Sequence, residues 1–149
     1  VGNYLKSAGV GAIPQWGKLS LSDTGTKIGF VSTTSSGGAP VVVTGIGFKP
    51  SVVIFLSTVV DNDYASFTIG LDNGTSRAYA GFWMEESSFS EGYTTRVHVV
   101  YDDDYSIYGV FDGASAVRGY ISSMGSDGFT ITKASSPVTG PSVLYLALP

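Results

Sequence analysis

The residues able to do chemistry are few. The chain of 149 residues holds one histidine, His98, and no cysteine. Without Cys there is no thiolate nucleophile, no disulfide framework and no thiolate zinc site. A serine-hydrolase triad needs Ser, His and an acid to converge, and no Gly-x-Ser-x-Gly elbow marks a nucleophile. His98 falls instead in the middle of an alternating stretch, where an exposed or cross-strand paired imidazole is the ordinary outcome. A zinc site would have one imidazole and otherwise only carboxylates. Gly45-Ile46-Gly47 lacks the third glycine and the helix of a dinucleotide-binding loop.

Carboxylates gather in three places: Asp61/Asp63, Glu85/Glu86/Glu91 and Asp102-Asp103-Asp104. Glycoside hydrolysis needs two of them at a defined separation across a cleft, and short loops offer little cleft. The Asp triplet offers oxygens to Ca²⁺. Yet the sixth position counted from Asp102 is Ile107, where an EF-hand requires Gly, and three adjacent like charges favour a solvated turn. No catalytic residue, no metal and no cofactor are therefore expected, Ca²⁺ at the triplet being the one ion with a donor set to consider.

What remains is contact chemistry. The chain has 9 Tyr, 8 Phe and 2 Trp, several beside polar turns: Tyr64, Tyr93, Tyr108, and Tyr101 and Tyr105 on either side of the Asp triplet. Aromatic rings stack on sugar faces and neighbouring carboxylates accept hydroxyl hydrogen bonds; Tyr also gives protein contacts large area at low entropic cost. The ordinary alternative for any one ring is core packing. Tyr101, Asp102, Asp103, Asp104 and Tyr105 form the candidate ligand-binding loop.

The elements that must position these residues are strands. Tyr93–Tyr101 alternates over its whole length, Lys27–Val31 more briefly, and Phe129 and Ile131 alternate with Thr130 and Thr132. Val52–Leu56 and Leu144–Leu148 are apolar throughout, which predicts strands covered on both faces. Asp72-Asn73-Gly74 between Phe67–Leu71 and Arg77–Ala80 predicts a hairpin with a type I′ turn, and Ser126-Asp127-Gly128 a second turn. Phe82–Ser90 comes nearest to a helical pattern, but no window sustains one. Nine to eleven short strands predict an all-β, antiparallel β-sandwich, jelly-roll-like or H-type-lectin-like. Residues 1–17 are rich in small residues and predict an extended arm, with the sandwich domain at 18–149.

Composition narrows the partners. A net charge of −4 with only 8 Lys+Arg argues against nucleic acid, which needs many cations to displace counterions. The longest apolar stretch falls far short of the roughly 20 residues of a membrane helix, so no membrane insertion is expected. Val1 follows no initiator Met and opens no signal-peptide pattern, so the sequence reads as the continuation of something longer.

Two groups of residues carry a resemblance. Leu5-Lys6-Ser7-Ala8-Gly9-Val10-Gly11-Ala12-Ile13-Pro14-Gln15-Trp16-Gly17 resembles the LKS-x-G-x-G-x-x-P-x-W linker of bacteriophage tail-fibre and related virion appendage proteins. Thr44–Phe55, Ser126–Ile131 and Leu144–Leu148 are similar to the lectin-like β-sandwich at the tip of such fibres. The resemblance implies a non-enzymatic receptor-binding domain on the virion surface. Its partners would be other virion proteins and a bacterial surface glycan or protein. It also implies a homotrimer, with Leu5, Ile13 and Trp16 of the arm as oligomer contacts. The alternative is a structural virion protein, such as a capsid decoration, head fibre or tail-associated module, that stabilises neighbouring subunits.

Overall fold

The computed structural model describes residues 3–6, 10–11, 13, 15–18, 25–33, 38–61, 64–89, 92–112, 115–135 and 142–149. Twelve strands account for nearly all of them: β1 (Asn3–Lys6), β2 (Gln15–Lys18), β3 (Lys27–Ser32), β4 (Val41–Thr44), β5 (Val52–Asp61), β6 (Tyr64–Asp72), β7 (Arg77–Phe89), β8 (Gly92–Asp102), β9 (Ile107–Asp112), β10 (Ser115–Gly125), β11 (Gly128–Ser135) and β12 (Ser142–Leu148). A four-stranded sheet in the order β4-β11-β10-β9 packs on a six-stranded sheet in the order β3-β12-β5-β6-β7-β8. Every pairing is antiparallel. The protein is an all-β antiparallel sandwich, with one sheet strongly curled.

Alternation decides which side chains fill the space between the sheets. Val53 and Phe55 of β5, Val143, Tyr145 and Ala147 of β12, Val117 and Ile121 of β10, and Phe129 and Ile131 of β11 are all buried. The ring of Phe129 stands edge-on to Phe55 at 5.9 Å and to Tyr145 at 5.3 Å, joining the sheets at their centre. Full burial of each such side chain stabilises the fold by about 1.5–3 kcal/mol. Gly70 of β6 lets the layers meet at one edge: a Cβ there would overlap the carbonyl oxygen of Ser106.

Several sequence expectations change in detail. Leu144–Leu148 and Val52–Leu56 are covered on one face only. Leu144, Leu146, Leu148, Val52, Ile54 and Leu56 lie half-exposed on the outer side of the large sheet. Phe82–Ser90 is no helical turn over its described residues, because β7 runs on to Phe89, paired with β8 throughout and with β6 as far as Glu85, Phe82 facing Phe67 and Val99. The β6–β7 connection is longer than a type I′ turn: Asp72 pairs with Arg77, leaving Asn73–Ser76 as the loop. Its glycine, Gly74, has a φ of 84°. Asn73 Oδ1 accepts from Thr75 N at 2.9 Å and from Ser76 N at 2.7 Å, closing the loop with a side chain. The arm contains a hairpin, β1 with β2, whose second strand extends to Lys18, with Leu5 and Trp16 as Cα partners.

The outer face of the large sheet carries cross-strand rows. Phe30, Leu144, Leu56, Ile69, Ala80 and Tyr101 are successive Cα partners, one from each strand. Thr58, Phe67, Phe82 and Val99 form a parallel row beside it, with the Phe67 and Phe82 rings 6.2 Å apart.

Candidate functional site

The curl of the large sheet builds the site. On β9, Ile107 enters the main core, while Tyr108 and Val110 belong to a second buried cluster with Tyr79 of β7. Trp83 and Val100 of the β7–β8 flap, Ala116 of β10 and Tyr105 pack against that cluster. Thus β9 is enclosed from both sides. Thr68 and Ser66 of β6 secure it, Thr68 Oγ1 donating to Tyr108 O at 2.6 Å and Ser66 Oγ accepting from Val110 N at 3.2 Å.

At the mouth of this second core the aromatic groups converge with charge. The Tyr79 and Tyr108 rings stack at 4.8 Å and 5°. Arg118, the Cα partner of Tyr108, holds its guanidinium carbon 5.8 Å from the Tyr108 ring and 6.0 Å from the Tyr105 ring. Those separations are within cation–π range. Tyr105 lies 6.5 Å from Tyr120, whose other neighbour is the Arg77 guanidinium at 4.4 Å. Asp102, at the end of β8, is the Cα partner of Tyr79.

Burial pushes the Tyr79 phenol up to about 12, the neighbouring Tyr108 and Asp102 pushing the same way and Arg118 opposing them. At neutral pH Tyr79 is therefore a protonated hydroxyl, able to donate or accept a hydrogen bond but poorly suited to proton abstraction. Together the cluster offers phenol hydroxyls, a carboxylate acceptor, guanidinium donors and ring edges. That set suits a ligand rich in hydroxyl groups.

Of the loop expected from sequence, the structure brings Asp102 and Tyr105 into this cluster. Tyr101 points the other way, because consecutive strand residues alternate; it stands 83% exposed on the outer face. Asp103 and Asp104 are exposed on the turn, and the carboxylates of Asp102, Asp103 and Asp104 come within 4.8 Å of one another. Asp102 Oδ1 accepts from Asp104 N at 2.6 Å, which accounts for the turn without an ion. Of the arm residues, Leu5 and Ile13 are exposed, and the Trp16 side chain lies outside the described residues.

His98 is held as an aromatic neighbour. It stacks on Trp83 at 3.8 Å and 5°, with Tyr64 on Trp83 at 6.3 Å. Its Nε2 is 3.7 Å from Glu85 Oε1, an ion-pair separation beyond hydrogen-bond length, and Arg96 Nη1 is equally far from the same oxygen. Glu85 and Glu86 point to opposite faces of β7, whereas Glu91, Asp63 and the Asp61 side chain lie outside the described residues.

Sequence reasoning missed Tyr79, Arg118 and Asp72. Tyr79 and Arg118 come together only because β7 packs on β9, where Tyr79 stacks on Tyr108, and β10 pairs with β9 at Arg118, a convergence that no local spacing announces. Asp72 reads as a turn former, yet it is 1% exposed. Its Oδ2 accepts from Ser106 Oγ and Ile121 N, both at 2.8 Å, and Oδ1 from Gly74 N at 2.8 Å, tying the sheets together beside the site. No protein-family model matches this chain, and neither does any curated protein or any solved structure.

Proposed function

We propose that this chain is a non-enzymatic attachment module of a bacteriophage virion appendage, a tail-fibre tip or receptor-binding domain, that binds a bacterial surface glycan. The observation that carries the recognition half is the convergence of Asp102, Tyr105 and Arg118 around the Tyr79–Tyr108 stack. A sugar ring presents an apolar C–H face and a rim of hydroxyls. Tyr105 and Tyr120 supply ring surface for the face, and Asp102 and Arg118 supply an acceptor and donors for the rim. The linker-like stretch Leu5–Gly17 supports the appendage half of the reading.

The test is binding of the full chain to susceptible cells and to their purified surface polysaccharide. Arg118→Ala and Tyr105→Ala are expected to weaken binding by about tenfold or more, with the circular dichroism of the β-sheet unchanged. Equal binding by the parent and both folded variants would overturn the assignment of the site. A second reading, a structural virion protein that holds neighbouring subunits, is favoured by the apolar outer face of the large sheet. Such a protein binds phage shells rather than cells, so the same preparation separates the two.

A further inference from the structure

We infer that the outer face of the six-stranded sheet is an interface between copies of this chain. The cross-strand row Phe30, Leu144, Leu56, Ile69, Ala80 and Tyr101 spans every strand without a charged residue. Phe30 is 75% exposed, Ile69 44% and Tyr101 83%. Among the described residues of the whole face only Glu86 carries charge, toward one end of β7. The sequences of β5 and β12 are those of strands covered on both sides, yet a single chain covers one.

Area and charge identify the occupant. Six strands about 4.8 Å apart, about 30 Å long on average, present roughly 800–900 Å² laid flat. That exceeds the largest apolar patch of a typical monomer, about 300–600 Å², and matches the roughly 800 Å² that each partner gives to a stable interface. The chain carries a net charge of −4, so copies repel one another wherever charged surfaces meet. A face whose single carboxylate, Glu86, sits toward one end of β7 is where they meet at least electrostatic cost, and obligate interfaces between identical subunits are the more apolar kind. A partner of opposite charge would find only the Glu86 carboxylate, at one end of the face, to pair with. The inference is independent of the glycan reading, because the recognition cluster lies on the opposite side of β7 and β8.

Sedimentation analysis of the full chain tests it, with circular dichroism as the check on folding. The parent chain is expected to sediment as a closed oligomer. Ile69→Glu, which places an unpaired carboxylate in the middle of the row, is expected to weaken association by at least about 100-fold. Phe30→Glu, on the edge strand β3 and largely solvated in the single chain, gives the same reading if Ile69→Glu does not fold. Thr44→Glu, exposed on β4 of the other sheet, is expected to leave the oligomer intact. A parent chain that stays monomeric at its solubility limit overturns the inference. So does an oligomer indifferent to the folded charge variants, and so does a monomer that binds phosphatidylcholine vesicles through this face instead.

Discussion

Removing the Asp72 carboxylate should separate the two sheets at the edge where the recognition cluster sits. Asp72 is buried, and its three hydrogen bonds reach β10 through Ile121 N, the β8–β9 connection through Ser106 Oγ, and its own hairpin through Gly74 N. Arg77 Nε, 3.9 Å from Oδ2, adds an ion-pair contact on the solvent side. In Asp72→Ala the Gly74 N–H turns to water, but the other two donors stay buried without their acceptor. At about 1–3 kcal/mol for each of the two unsatisfied groups, and with the carboxylate's own desolvation relieved, the net loss is about 2–5 kcal/mol. Asp72→Asn is a sharper probe. With its amide oxygen toward Ser106 and Ile121 and its NH₂ toward Gly74, it loses one bond and the charge, a cost of about 1–2 kcal/mol. Equilibrium urea unfolding at fixed protein concentration measures both. For a chain of this size the alanine variant should also melt roughly 10 °C lower. An alanine variant within about 1 kcal/mol of the parent would refute the assigned role. Equal losses for Asn and Ala would refute the partition among the three bonds.

Three further outcomes test separate parts of the structure. Asp127, in the β10–β11 turn, accepts from Gly47 N at 2.6 Å and Gly45 N at 3.0 Å, bonds that hold its carboxyl below the usual range. Its tether is therefore complete above about pH 4 and lost as pH falls through that lowered value. Amide exchange at Gly45 and Gly47 should speed up on acidification, and at neutral pH in Asp127→Ala; unchanged exchange would dismiss the tether. Tyr79, raised to about 12, contributes stability that is whole below about pH 10 and disappears as pH climbs through its folded value. Ultraviolet titration should find Tyr79 among the late phenols, with Tyr145, which burial also raises, and Arg118→Ala should delay Tyr79 further, since Arg118 favours its phenolate. Gly70→Ala forces a methyl into the Ser106 carbonyl and should cost about 1–3 kcal/mol or more by urea unfolding; a neutral effect would mean that β6 and β9 lie farther apart.

The strands were legible because each carries its period locally. Phe129 and Ile131 face the core and Thr130 and Thr132 do not, as the alternation of apolar and hydroxyl side chains requires. The Ser126-Asp127 turn needed only Gly128 beside it. The recognition cluster was half legible: Asp102 and Tyr105 lie near each other in sequence, while Tyr79 and Arg118 join them through the curl of one sheet over the edge of the other. Tyr101 looked equivalent to Tyr105 because a list of aromatic residues ignores parity. Asp72 was hidden behind its own propensity, since an Asp before Asn-Gly is what any turn prefers whether or not its carboxylate reaches into the interior.

On the proposed reading, parity on β8 also decides how assembly and recognition would coexist. Asp102 and Tyr101 are adjacent in sequence, so one serves the cluster and the other stands on the outer apolar face. Copies joined through the outer face would leave the Asp102 side of every flap open to a ligand. Identical sites held in one assembly would then act together, and the gain follows the effective concentration set by their spacing, with no new contact needed. An assembly-deficient but folded Phe30→Glu chain should therefore keep its affinity for a soluble oligosaccharide while losing avidity for a cell surface, by about 100-fold if several sites engage at once. Equal loss in both measurements would mean that the ligand reads the outer face itself, and the separation of roles between the two sides of β8 would fail.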